Sequence, residues 1–183
     1  MNDGPVYTRD CSPERVLSQC RWEAFRGSGP GGQKRNKTSS AVRVTHVPTG
    51  LSVVASESRS QSENRGKALG RLRHRIALEI RQPVNADPFE VPTWLSQIVA
   101  PTPGQTVRLA RATRRHDRYL DVVALILDLL TALDGSVSVT AGCMGTSSSD
   151  LVGFLQRDEK LLGHVNQIRR EFGLKALGGR SGR

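Results

Sequence analysis

The sequence predicts an α+β fold: a short β-sheet with one packed helix and an exposed loop, followed by a small all-α unit. Three observations predict it. Apolar and polar residues alternate at period two through 20–25, 41–47 and 51–55. A spacing of three and four takes over after Ser60. Five prolines between Pro83 and Pro103 then separate this part from a second helical stretch.

The elements follow in order. Residues 1–19 carry few apolar positions and read as an N-terminal arm, in which Pro13 to Leu17 can start a short helix. A strand is expected over Cys20–Phe25, where Cys20, Trp22 and Ala24 alternate with Arg21, Glu23 and Phe25. From Arg26 to Ser40 almost nothing can be buried, so an exposed loop is expected, and loops of this length in small domains are functional or disordered. Ala41–Val47 places Val42, Val44 and His46 on one face, and Leu51–Ala55 does the same with Leu51, Val53 and Ala55. Pro48-Thr49-Gly50 joins the two as a hairpin. Ser60 to Glu63 fits a capping box, after which Ala68, Leu69, Leu72, Ile76 and Ile80 form the apolar stripe of a helix. Its outer face carries Arg65, Lys67, Arg71, Arg75 and Arg81. Residues 20–81 are therefore expected to form one domain.

A Pro-rich linker is expected over 82–105, with Trp94, Leu95 and Ile98 packing as one helical turn. The helical domain, 106–175, begins with a helix over 106–133, apolar at Leu120, Val123, Ile126, Leu127, Leu130 and Leu133 and stopped at Asp134-Gly135. A short helix over Val137–Met144, a turn at Gly145 and a long helix from Ser148 to Phe172 give it a helix-turn-helix-like order. Residues 176–183 read as a flexible basic tail.

Composition narrows the function. A chain of 183 residues suffices for one ordinary domain or two small ones. Its 27 Lys and Arg against 17 Asp and Glu leave a formal charge of +10, which suits a polyanionic partner such as RNA, DNA or an anionic membrane. The excess is uneven: residues 1–82 hold 15 basic and 7 acidic residues, residues 83–183 hold 12 and 10. No apolar run reaches the ~20 residues of a membrane span, and the opening MNDGPVYTRD lacks the features of a signal peptide, so a cytoplasmic protein with no membrane partner is expected. Cys11, Cys20 and Cys143 are odd in number and lack metal-site spacing, and His46, His74, His116 and His164 are scattered; no metal or cofactor is expected. No Ser/His/Asp set is evident either.

The loop instead holds Gly29-Pro30-Gly31-Gly32-Gln33, followed by Lys34-Arg35-Asn36-Lys37-Thr38. Adjacent glycines let a backbone amide approach a reacting centre without Cβ obstruction. A Gly-Gly-Gln triplet alone occurs by chance. The longer pattern GSGPGGQKRNKTSSAVRVTHVPTG, continued by RSQSENRGKAL, is far more specific. Over residues 20–80 it resembles the peptidyl-tRNA hydrolase domain of class I peptide chain release factors and of the related codon-independent ribosome-rescue factors.

That resemblance implies a domain that presents Gly31, Gly32 and Gln33 to the peptidyl transferase centre of the large ribosomal subunit, beside P-site peptidyl-tRNA. The backbone N–H of Gln33 would donate to oxygen as charge develops, an oxyanion-type stabilisation worth ~3–4 kcal/mol per donor. The Gln33 side chain would place water, while Gly31 and Gly32 would supply the backbone path. Lys34, Arg35, Asn36, Lys37, Thr38, Arg43, Arg59, Gln61 and Arg65 would hold the loop and domain against RNA phosphates, contacts that position without reading sequence. The resemblance also admits a glutamine methyltransferase acting on Gln33 as a partner.

Codon-reading release factors carry further domains, which the 19 residues before Cys20 cannot hold, so ribosome rescue without stop-codon decoding is the expected function. The chain departs from the best-known rescue factors in having an apolar helical unit where they have a basic tail. Arg108, Arg111, Arg115 and Arg118 could share one helix face, which suggests an external anion or a helix that starts later, at Asp117. DNA is an unlikely partner: around Thr140 to Leu155 the base-reading candidates are few, and core packing of Leu151, Phe154, Leu155, Leu161, Leu162, Val165 and Ile168 explains the pattern more simply. Against the hydrolase stands one alternative of another class, a non-catalytic ribosome- or RNA-binding factor that keeps the fold.

Overall fold

A computed structural model of the chain describes residues 10–25, 40–87, 89–99 and 107–179. The chain divides into two compact units, Met1–Ile80 and Arg81–Arg183.

The first unit contains α1 (Pro13–Ser18), β1 (Cys20–Phe25), β2 (Ala41–His46), β3 (Ser52–Ala55) and α2 (Gln61–Glu79). Its strands form one antiparallel sheet in the order β1-β2-β3. The hairpin works as its residues require. Gly50 takes φ +70°, a left-handed conformation that suits glycine, and its N–H donates to the His46 carbonyl at 2.9 Å. Because α2 packs on β2 and β3, Val42 and Val44 of β2 and Ala55 of β3 are buried beneath it. β1 is the edge strand away from that helix, so its alternation is incomplete: Trp22 and Phe25 are half-buried and Ala24 is exposed.

α2 buries Asn64, Ala68, Leu72, Ile76, Ala77 and Leu78. Leu72 and Ile76 are fully buried, and each contributes about 1.5–3 kcal/mol by leaving water. Ser60 caps the helix by accepting from the Glu63 N–H at 3.3 Å. The reciprocal half of the capping box is replaced. Glu63 accepts from the Ser58 hydroxyl at 2.6 Å, and the Ser60 N–H donates to that same hydroxyl at 3.0 Å. The helix stops at Ile80, which is extended at φ −90° and ψ 126°, so Arg81 does not extend its outer face.

The second unit contains α3 (Thr93–Val99), a 3-10 turn at Leu109–Arg111, and helices α4 (Tyr119–Ala132), α5 (Val137–Cys143), α6 (Ser148–Leu155) and α7 (Glu159–Glu171). Residues 121–130 of α4 are all buried, which makes it the central helix of this unit. Two acids are among them, and each has a partner, as burial of charge demands. Asp128 accepts from Arg81 at 3.3 Å and from the Gln82 N–H at 3.0 Å, and Asp121 lies 3.9 Å from Arg118.

Two helices differ from expectation. The first begins at Tyr119, not at 106. Upstream, the Arg108 N–H donates to the Val99 carbonyl, the Leu109 N–H to the Asp150 carboxylate, and the Val107 carbonyl accepts from Thr146. With those groups bonded to other elements, the segment cannot close an α-helical ladder. The last helix is interrupted between Leu155 and Glu159 because Asp158 caps α7, accepting from Lys160 and Leu161 N–H at 3.0 and 3.3 Å. Gly145 takes φ +68° between α5 and α6, where the turn was expected.

Candidate functional site

The expected catalytic residues Gly31, Gly32 and Gln33, and the adjacent Lys34, Arg35, Asn36, Lys37 and Thr38, lie outside the described residues. Both ends of the connection that carries them are described. Phe25 and Ala41 face each other as the last register pair of β1 and β2, so the chain leaves and re-enters the sheet at one place.

A buried side chain on α2 holds the returning end. The Asn64 side-chain amide donates to the Ser40 carbonyl at 2.7 Å and to the Ser58 carbonyl at 2.8 Å. Its oxygen accepts from the Ser58 N–H at 3.0 Å. One residue thus ties the re-entry of the loop to the turn between β3 and α2, and the first turn of α2 lies against the base of the loop. Asn64 was not among the expected site residues. A signal was present in the spacing, since Asn64, Ala68, Leu72 and Ile76 recur every four residues and put a polar group on the buried stripe.

Of the four expected RNA-contacting residues that are described, two engage β1. Arg43 lies 3.5 Å from Glu23 and its guanidinium sits 5.4 Å from the Phe25 ring. Arg65 sits over the Trp22 ring at 4.7 Å. Stacking of this kind leaves guanidinium N–H groups free to bond at the ring's edge. Arg59 and Gln61 are exposed beside the capped end of α2. Further along the helix the arginines serve the domain itself. Arg71 pairs with Glu57 at 2.5 Å, which holds the Glu57 carboxyl below its usual range, and it reaches the Val54 carbonyl. Arg75 forks onto Glu79 at 2.8 and 2.9 Å and donates to the Ser52 carbonyl at 2.9 Å. The outer face of α2 is therefore split into exposed cations at the end near Ser40 and partnered ones beyond.

Nucleophilic alternatives find no support among the described thiols. Burial pushes the Cys20 thiol up to about 11, and its Sγ lies 3.0 Å from the Val16 carbonyl; burial and Asp87 push Cys143 up as well. Both remain protonated near neutral pH and so lack the reactive thiolate. His46 is buried and bonded to Thr49 at 2.8 Å and Gln19 at 3.0 Å, a core role that pins the end of β2.

Residues 16–94 match the family model described as the RF-1 domain. Over this stretch, which is less than half of the chain, the sequence is similar to the RF-1 domain of class I release factors. The chain is similar to peptide chain release factor 2 of Paramagnetospirillum magneticum, at 52% identity over 59 residues, 32% of this chain and 16% of the relative. It is also similar to peptide chain release factor 1 of Blochmanniella floridana, at 48% over 94 residues, 44% of this chain and 26% of the relative. With peptide chain release factor 1 of Acidiphilium cryptum it shares 54% over 72 residues, 39% of this chain and 20% of the relative. The matched stretch thus spans between 16% and 26% of these relatives' length. The RF-1 match holds β1 to β3, α2, the loop and Asn64, and runs on through Trp94 into the second unit. No described helix is long and apolar enough to cross a membrane.

Proposed function

We propose that the chain hydrolyses the ester of peptidyl-tRNA in the large ribosomal subunit and frees the peptide without reading a stop codon. The observation that carries this is the Gly31-Gly32-Gln33 sequence within a stretch similar to the RF-1 domain, on a connection whose ends are held by the Phe25–Ala41 pair and by Asn64. A loop fixed at its base can present a backbone amide at a defined place, and catalysis by a preaimed donor needs little else from the protein. In this mechanism the Gln33 N–H stabilises the oxyanion as water attacks the ester carbon. The Gln33 side chain orders that water, and the tRNA and ribosomal RNA complete the site.

Arg43, Arg59, Gln61 and Arg65, with Lys34, Arg35, Asn36, Lys37 and Thr38, serve as phosphate contacts. The second unit adds exposed arginines at 108, 111 and 115, suited to phosphate contacts that carry no sequence information. The reaction would take place in the cytoplasm, and a glutamine methyltransferase modifying Gln33 belongs to the same proposal.

The test is peptide release from ribosomes carrying radiolabelled peptidyl-tRNA, with the A site either empty of codon or filled by a stop codon. Release that does not depend on the stop codon is the expected result. Strict dependence on the stop codon overturns codon independence while keeping the hydrolase. Binding without release in both arms overturns the hydrolase and leaves the non-catalytic ribosome-binding factor.

A further inference from the structure

Residues 108–118 hold five arginines and one aspartate. They do not form the helix face their spacing suggested; they form an arm anchored along its backbone. Its start is tied to Val99 through the Arg108 N–H at 2.9 Å and to Asp150 through the Leu109 N–H at 2.7 Å. The Ala110 carbonyl accepts from Arg157 at 3.3 Å. Val107, Leu109 and Ala112 turn inward and are buried, which leaves Arg108, Arg111 and Arg115 exposed.

The arginines divide into two groups. Arg114 lies 2.9 Å from Asp158, while Arg118 lies 3.9 Å from Asp121 and 5.6 Å from the centre of the Trp94 ring. These two offset buried acids. Arg108, Arg111 and Arg115 make no ion pair among the described residues, and Arg157 adds a fourth exposed cation at Ala110. Formal charge understates the effect. Three of the ten acids in residues 81–183, Asp121, Asp128 and Asp158, are buried and so withdrawn from the surface.

We infer that residues 108–118, with Arg157, form a second RNA-binding surface that contacts the phosphate backbone. Which RNA it meets rests on the ribosomal function proposed above; the phosphate chemistry does not. An acidic protein is the less suitable occupant, because a protein interface has an apolar centre and the apolar side chains Val107, Leu109 and Ala112 of this segment are buried. Nucleic-acid interfaces are polar and strongly basic. Contacts to phosphate position a protein without reading sequence. Anchoring the backbone lowers the ordering cost of binding, because the guanidinium bases are already placed.

The experiment compares full-length protein with the triple variant Arg108→Gln, Arg111→Gln, Arg115→Gln, and with the triple Arg→Lys variant. Affinity for large ribosomal subunits is measured across salt concentrations, with single-stranded RNA, duplex DNA and polyglutamate as competitors. Each lost phosphate contact should make the log–log salt slope about 0.7–0.9 less steep, so the Gln triple should lose roughly two to three units. The Lys triple should keep the slope. Should the Gln triple melt early, single Gln variants should each lose about 0.7–0.9.

An unchanged slope overturns the inference. Polyglutamate competing as well as RNA overturns it in favour of an acidic protein, and preference for duplex DNA overturns RNA as the partner. Gly32→Ala separates the two proposals, since it should abolish release and leave this slope unchanged. A changed slope with no release even from the wild-type chain would sink the hydrolase and leave the arm standing.

Discussion

Replacing Asn64 by alanine should weaken both the fold of the first unit and the peptide release proposed for it, and the two effects can be measured apart. The side chain makes three hydrogen bonds, at 2.7, 2.8 and 3.0 Å, to the Ser40 carbonyl and to both backbone groups of Ser58. A typical bond of this kind contributes about 0.5–1.5 kcal/mol net, and stranded partners add to the loss; water can reach the partly buried serines and recover some of it. The expected loss is about 2–4 kcal/mol, less than the total stability of an ordinary domain, so the variant should still fold. Urea unfolding followed by Trp fluorescence would measure it. Ser40 stands at the re-entry of the loop, and a displacement of about 1 Å at a reacting group can cost ~10²-fold, so single-turnover release at saturating protein should fall roughly 10- to 100-fold. Asn64→Asp keeps the acceptor for the Ser58 N–H but turns a carboxylate toward two carbonyls, and should do no better. If stability falls as stated while saturating release stays within about twofold of wild type, Asn64 is a packing residue and does not position the loop.

Three further outcomes are expected. Gly32→Ala should reduce release by roughly 10²-fold or more, the scale of losing one oxyanion donor, with an unchanged urea midpoint. Burial lowers the pKa of His46, so the folded domain favours the neutral ring. That contribution is complete above the ordinary value of 6.5 and is lost as pH falls below it toward the folded value; stability should decline over this window, and less so in His46→Gln, as read by urea midpoints across pH. A protein ending at Ile80 should fold and release peptide slowly, since the first unit closes there. Adding residues 81–183 in trans should not restore the rate, because separate pieces lose the effective concentration of the linked chain. Equal rates for truncated and full-length protein would contradict this, as would a truncation that circular dichroism shows to be unfolded.

Local pattern was enough to find the strands, the hairpin and α2. Period-two alternation, a Pro-Thr-Gly turn and a Ser N-cap act over a few neighbouring residues, and the RF-1 pattern is written in the same stretch. The loop expected between Arg26 and Ser40 lies outside the described residues except at Ser40. Residues 107–118 were not legible as an arm. Their arginine spacing suits a helix, but helix formation there competes with bonds to Val99, Asp150 and Thr146, all outside the segment. The break before α7 turned on whether Asp158 would cap a new helix or sit within a longer one, a choice that spacing alone leaves open. Asn64 appeared in the sequence only as a polar residue on an apolar stripe. Its partners, Ser40 and Ser58, become neighbours only when β2 and the β3–α2 turn are brought together, so the tether at the base of the loop is a product of tertiary structure, where a buried amide must satisfy its hydrogen bonds with whatever backbone lies beside it.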